Sequence, residues 1–239
     1  MSILFISDLH LSEDRPDITE RLVSLLEGYS GRTEALYILG DLFEAYVGDD
    51  DDAPLVRNVE KHLRAFSNRG SDVFFMHGNR DFLVGQDFAE RAGLTILADP
   101  TRIELAGKST LLMHGDSLCT DDAAYQAFRA EVRSPQWQQT FLAQPLAARK
   151  AFAEQARQQS QQHTASVSET IMDVNQRAVE GTFVTHGLRR IIHGHTHRPN
   201  WHHYAANCER IVLGDWFDQA SMLVVDDDEL SLYPEPASS

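Results

Sequence analysis

The stretch IIHGHTHRP, residues 191–199, decides how the chain is read. Two apolar residues, Ile191 and Ile192, lead into three histidines at alternate positions, then Arg198 and the helix-breaking Pro199. In extended backbone successive side chains alternate sides, so His193, His195 and His197 point the same way. Gly194 leaves room for backbone to approach a cluster, and Pro199 keeps the segment from continuing as a central strand. Alternating histidines also occur in surface loops, so the run takes its meaning from the rest of the chain.

Other short apolar runs rich in β-formers end in the same kinds of side chain. ILFIS meets Asp8-Leu9-His10, ALYIL meets Gly40-Asp41, DVFFM meets His77-Gly78-Asn79-Arg80-Asp81, and STLLM meets His114-Gly115-Asp116. Such runs read as buried strands. Between the early ones, Ile18, Leu22, Leu25 and Leu26 follow Asp17, and Leu55, Val59, Leu63 and Phe66 follow Pro54, both at helical spacing. The alternation predicts an α/β core. RIEL, STLLM, RRIIH, RIVLG and SMLVV have little helix between them apart from one long interruption, which predicts a second sheet on the first with helices outside both.

In α/β sheets, side chains just beyond the carboxyl ends of strands converge on a crevice. Imidazole, carboxylate and amide oxygen together suit a divalent ion such as Mn²⁺, Fe²⁺ or Zn²⁺. Seven such donors are too many for one ion with an open position and suit two. Singly, each motif has a plainer reading: an Asx turn at Asp8, a strand-to-turn signal at Gly40-Asp41, satisfied core histidines at His77 and His114. Jointly, those readings would make every polar strand exit a coincidence.

The chain has 239 residues, enough for one sizeable core or one domain with a large insertion. A formal charge of −15 argues against long-range attraction to nucleic acid or an anionic bilayer. Two cysteines, Cys119 and Cys208, match no zinc spacing and favour a reducing compartment. No signal peptide or membrane span is expected, so the reading is cytoplasmic with any membrane contact peripheral.

From Thr120 to about Gly181 the strands stop and the pattern turns helical. Ser134-Pro135 reads as an N-cap with Pro at N1, and Gln144-Pro145 ends that helix. Residues 126–163 carry Arg129, Arg133, Arg149, Lys150 and Arg157 against Glu131 and Glu154, a net +3, while the remainder carries −18. This basic island suggests a local anionic ligand, with a solvated helix face as the plain alternative.

Asp8-x-His10, Gly40-Asp41, Gly78-Asn79-Arg80-Asp81, His114-Gly115-Asp116 and Gly194-His195-Thr196-His197, in that order, resemble the five blocks of the calcineurin-like metallophosphoesterases. The resemblance implies a four-layer αββα sandwich, here one domain over 1–239 with a helical lid insertion at about 120–181. It also implies two divalent ions per chain, one held by Asp8, His10, Asp41 and His197, the other by Asp41, Asn79, His114 and His195. His193 falls outside that pattern and is left as a supporting or structural residue.

Where the broad superfamily has Gly-Asn-His-Asp, this chain has Arg80. With SDLHL, YILGDLFE, MHGNRDFL, LLMHGDSLCT, IMDVN and IHGHTHRP, that residue makes the chain similar to the bacterial UDP-2,3-diacylglucosamine diphosphatase family of lipid A biosynthesis. The likeness implies Mn²⁺-dependent cleavage of a glycolipid nucleotide to UMP and 2,3-diacylglucosamine 1-phosphate (lipid X), with the insertion covering the acyl chains. It implies a monomer at the cytoplasmic face of the inner membrane. Arg80 and His195 would be catalytic. Substrate contacts map onto Asn79, Arg80, Asp122, Tyr125, Ser160, Thr164 and His195; Val167 stands where Lys is frequent, which leaves Arg157 or Arg80 to supply that charge. The competing expectations are another phosphoesterase of the superfamily and a metal-binding scaffold without catalysis.

Overall fold

Strands β1 (Ser2–Ile6), β2 (Thr33–Ile38) and β3 (Asp72–Met76) alternate with helices α1 (Pro16–Tyr29), α2 (Pro54–Ser67) and α3 (Gln86–Ala92), and β4 (Thr95–Leu97) follows. This is a computed structural model describing residues 1–166, 173–218 and 220–234, with side chains omitted for 160–166. β1 to β4 run parallel, and β10 (Met222–Asp226) and β11 (Glu229–Tyr233) add antiparallel, giving the order β11-β10-β1-β2-β3-β4. A second sheet has the order β5-β6-β7-β9-β8, from β5 (Thr101–Leu105), β6 (Lys108–Leu112), β7 (Arg190–His193), β9 (Cys208–Val212) and β8 (Asn200–Tyr204). Its three central strands β6, β7 and β9 are parallel.

The period-2 alternation sorts the strand residues into three apolar layers. Leu4, Ile6, Leu36 and Ile38 face outward, onto Leu22, Val59, Leu63 and Phe88 of α1 to α3. Phe5, Leu39, Leu112, Ile192, Ile211 and Leu223 fill the layer between the sheets. Leu111 and Ile191 point to the far side, against Val179 and Phe183 of α7 (Gln176–His186). The order is helix, sheet, sheet, helix, as expected.

Four helices interrupt the second sheet between β6 and β7: α4 (Ala123–Val132), α5 (Pro135–Leu142), α6 (Leu146–Ser166) and α7. Ser134 Oγ caps α5 by accepting from Trp137 N at 3.3 Å, with Pro135 at N1. The helical stretch runs on to His186, and its last helix belongs to the outer layer of the second sheet. By contrast Trp137, Phe141, Leu146 and Ala153 pack onto the core of the first.

All five cations of the basic island are ion-paired to the body of the protein. Arg129 lies 2.8 Å from Asp116, Arg133 3.5 Å from Asp116, Lys150 2.8 Å from Asp51 and Arg157 2.9 Å from Glu44, while Arg149 pairs with Asp50. The island therefore docks the insertion, and its positive charge alone does not require an exogenous anion. The run Gly48 to Asp52 is the receiving side: Asp49 accepts from Gly85 N and Phe88 N, while Asp50 and Asp51 take Arg149 and Lys150.

Elements that the pattern did not announce are short or lie at edges. β4 has three residues and α3 seven, too few for a period to show. β8, NWHHY, is an edge strand and reads as polar. Beside it, Glu209 on β9 accepts from Arg190 Nε (2.7 Å), Lys108 Nζ (2.8 Å) and Trp201 Nε1 (3.0 Å), joining four strands. Burial pushes its carboxyl up, but hydrogen bonds from Lys108 and Arg190 outweigh that and hold it below the ordinary value. A depressed carboxyl adds stability that is present above its unfolded value and is lost as pH falls through the folded one. Glu209→Leu should therefore cost about 3 kcal/mol in urea unfolding at pH 7, because buried Arg190 loses its partner. The gap between variant and wild type should shrink below the ordinary Glu range.

Candidate metal centre

The parallel strands of both sheets deliver their exits to one place. β1 supplies Asp8 and His10, β2 supplies Asp41, and β3 supplies Asn79, while His114 follows β6 and His195 and His197 follow β7. Turning the chain sharply enough costs backbone strain: Asp8, His10, Asp41, His195 and His197 have φ of 56°, 50°, 52°, 68° and 57°. Non-glycine residues visit this left-handed region rarely, and five in one cluster mark a site whose geometry the surrounding fold imposes.

Asp8, His10 and His197 each offer a ligand atom within 4.8 Å of the others, and so do Asp8, Asp41 and His114. Asp41 spans the centre, with Oδ2 3.7 Å from His10 Nε2 and Oδ1 3.8 Å from His114 Nε2. Asn79 Oδ1 lies 3.0 Å from His114 Nε2 and 2.9 Å from His195 Nδ1. The Nε2 atoms of His10 and His197 face each other at 3.1 Å. The seven residues expected as ligands are thus brought together as two groups flanking one carboxylate.

The donor set suits a divalent cation. Asp8 Oδ1 is buried without a hydrogen-bond partner, while His197 Nε2 stands 3.5 Å and His10 Nε2 4.0 Å away. Such an oxygen, ringed by imidazole nitrogens beyond bonding distance, is where a cation belongs. The far nitrogens are held from behind, as ligating imidazoles require. His10 Nδ1 donates to Glu44 Oε2 at 2.8 Å, His114 Nδ1 donates to Leu39 O at 2.8 Å, and His197 Nδ1 is 3.3 Å from Asp215 Oδ2. The charges respond to one another: against burial, Asp41, Asp116 and Asp8 push His114 up to about 9, and Asp215 and Asp8 push His197 up to about 10. Burial and the neighbouring His114 push His195 down to about 4.

The calcineurin-like phosphoesterase family model matches residues 1–199. Relatives named UDP-2,3-diacylglucosamine hydrolase align almost end to end. The protein from Xanthomonas axonopodis pv. citri (strain 306) is 56% identical, covering 97% of this chain and 98% of its own. That from Stenotrophomonas maltophilia (strain K279a) is 51% identical, with 95% of each chain covered. The chain belongs to the calcineurin-like phosphoesterases, in the UDP-2,3-diacylglucosamine hydrolase family. It is a hydrolase of that family, and the family implies divalent metal ions.

Beside the metal centre of this phosphoesterase a cavity of about 590 Å³ opens beneath the insertion. Asn79, Arg80 and Tyr125 line it together with the aromatic side chains of Phe128, Trp137 and Phe152. Arg80 is pinned at its main chain, where its N–H donates to Asp41 Oδ1 at 2.8 Å. Tyr125 lays its ring over His195, centroids 6.0 Å apart, and donates its hydroxyl to Asp116 Oδ2 at 2.7 Å. Arg157 lines the cavity while paired to Glu44. Asp122 stands at the start of α4, where its carboxylate caps the helix by accepting from Tyr125 N. The side chains of Ser160 and Thr164, and all of Val167, lie outside the described residues. His193 donates from Nδ1 to Gly194 O (2.8 Å) and accepts from Arg210 at Nε2 (3.0 Å). Burial and Arg210 push it down to about 3, so it stays neutral.

Four carboxylates of this site were given no role from the sequence, although Asp81 and Asp116 close two of its motifs. Asp81 is fully buried and accepts from Gly78 N (2.9 Å) and Leu42 N (2.7 Å), locking the β2 and β3 exits together. Glu44 and Asp215 orient His10 and His197, and Asp116 seats Tyr125 and Arg129. Asp215 had a visible signal: Leu213-Gly214-Asp215 after β9 repeats the Leu39-Gly40-Asp41 exit of β2.

Glycine is required where backbones nearly touch. A Cβ at Gly194 would lie 2.1 Å from Asp8 Oδ2 and 2.1 Å from Ser7 Oγ. Gly194→Ala should keep its circular dichroism spectrum yet weaken Mn²⁺ binding at least tenfold in calorimetric titration, because Asp8 must move; unchanged affinity would remove Asp8 from the ligand set.

Proposed function

We propose that the chain hydrolyses the pyrophosphate of UDP-2,3-diacylglucosamine to UMP and 2,3-diacylglucosamine 1-phosphate (lipid X), a step of lipid A biosynthesis, using two Mn²⁺ ions. The observation that carries this reading is the apolar cavity meeting Asn79 and Arg80 at the edge of the metal centre. A glycolipid needs both halves: an apolar slot for acyl chains and a polar mouth for the diphosphate. The names of the relatives support the same substrate.

Asp8, His10, Asp41 and His197 would hold one ion and Asp41, Asn79, His114 and His195 the other. Ions bound there supply Lewis acidity, lowering the pKa of a water and offsetting charge that develops on phosphoryl oxygens. The chain's own residues do the rest. Arg80 presents a planar fork of donors that takes two phosphate oxygens at once, which suits a diphosphate better than a neutral imidazole would. Tyr125 stays protonated, its hydroxyl pushed up by burial and by Asp116, so it walls and orients without relaying a proton. His195 acts as a neutral ligand and general acid catalysis by it is the weaker role. The oxygen of water bonds to the uridine-side phosphorus, the bond from that phosphorus to the bridging oxygen breaks, and the water protons pass to solvent. Diacylglucosamine 1-phosphate leaves as a weak base that needs little protonation.

Helices α4 to α6 would act as a lid over the acyl chains and touch the cytoplasmic face of the inner membrane peripherally, the chain working as a monomer. Among the described residues no helix is long and apolar enough to cross a membrane. Asp122, Ser160, Thr164 and Val167 remain proposed substrate contacts, with Arg157 beside Arg80 as the source of positive charge.

The test is hydrolysis of UDP-2,3-diacylglucosamine in ¹⁸O-labelled water, with Mn²⁺ or EDTA, reading products by mass. Labelled UMP beside unlabelled sugar phosphate, with metal only, is expected; no cleavage with Mn²⁺ present would overturn the substrate assignment. Asp41→Ala and His114→Ala should abolish turnover without unfolding. Arg80→Ala should lower kcat about a hundredfold to a thousandfold, as losing a donor aimed at developing charge does. Arg80→Lys should recover only part, because the bidentate geometry is gone. Phe152→Asp should raise KM for the diacylated substrate while leaving Mn²⁺ affinity unchanged.

A further inference from the structure

Glu44 stands between the insertion and the metal centre, touching both. Only 15% of its side chain is exposed, and its two oxygens face different parts of the chain. Oε2 accepts from His10 Nδ1 at 2.8 Å, and Oε1 is 2.9 Å from Arg157 Nε on α6. A carboxylate can only accept, so this contact places the His10 proton on Nδ1 and leaves the Nε2 lone pair facing Asp8 and Asp41. Arg149 and Lys150 on the same helix end on Asp50 and Asp51 instead, in the acidic loop.

We propose that Glu44 is a positioning residue that couples the seating of α6 to assembly of the Asp8–His10–His197 group. It rests on the reading of that group as a metal site. With α6 seated, Arg157 holds the carboxylate against His10 and balances its charge close to Asp8 and Asp41. With α6 lifted, Glu44 faces those two carboxylates with one cation fewer and is driven to turn toward solvent, which frees the His10 ring to rotate. Coupling between two equilibria is reciprocal: whatever α6 does for ion affinity, a bound ion does for the seating of α6.

The experiment needs no substrate, so it stays separate from the assignment of UDP-2,3-diacylglucosamine. Mn²⁺ is titrated calorimetrically into full-length wild type, Glu44→Gln, Arg157→Gln, Arg157→Lys and His10→Ala, each checked for folding by circular dichroism. Hydrogen exchange of α6 is followed with and without Mn²⁺. Glu44→Gln and Arg157→Gln should each weaken one of two Mn²⁺ sites about tenfold, the usual effect of removing a group behind a ligand. Arg157→Lys should restore most of that loss. Mn²⁺ should slow exchange in α6 of the wild type and leave it unchanged in both glutamine variants. Wild-type Mn²⁺ affinity in Arg157→Gln, or exchange in α6 indifferent to Mn²⁺, overturns the coupling. His10→Ala should abolish the same site; if it binds Mn²⁺ like wild type, the metal assignment fails and the coupling falls with it.

Discussion

The carboxylate of Asp41 can lie between His10 and His114 only because the strand exits around it almost touch. A Cβ at Gly78 would sit 2.1 Å from Asp41 Oδ1, and the amide of Arg80 donates to that same oxygen. Asp81 closes the arrangement from beneath, collecting amides from both the β2 and β3 turns. Its burial is tolerable for that reason, although burial and Asp41 push its carboxyl up to about 7. The strained φ values of Asp8, His10, Asp41, His195 and His197 belong to the same constraint, since chain leaving five strands must turn close to one point. The strain is offset by the three apolar layers, which hold the strands where they are.

Charge is distributed to the same end. An acidic protein carrying one basic segment invites the thought of an anionic ligand, yet each of the five cations already has a carboxylate opposite it. Pairing an acidic body with a basic insertion selects a single seat for three helices that share few apolar contacts with the second sheet. The pairs at Asp116 and Glu44 also reach the clustered histidines His195 and His10, the first through the ring of Tyr125 and the second directly. A headgroup phosphate entering the cavity would meet guanidinium groups held in place beforehand by the body.

Much of this was legible because the informative residues recur at one structural position. Asp8, Asp41, Asn79, His114, His195 and His197 each follow an apolar run at its carboxyl end, so strand pattern and ligand chemistry pointed to one crevice. The layers were legible too, since Leu111 and Leu112, or Ile191 and Ile192, face opposite ways by period alone. Glu44 was harder, and so were the roles of Asp116 and Asp215: a residue that orients another has no spacing rule, and its role exists only once the partner is placed. The destinations of Arg149 and Lys150 were hidden for the same reason, their partners lying about a hundred positions away.

The centre also has a mechanical side. Asp8, His10, Asp41 and Asn79 ride on one sheet and His114, His195 and His197 on the other, so the cluster straddles the seam between them. His195 N meets Asp8 Oδ2 across a separation of 187 residues. Ions clamped there would cross-link the sheets as a disulfide does, closing long loops in a chain whose two cysteines are free. The sheets would then be least able to slide past each other at the rim where a displacement of one ångström would pull the ligand groups apart.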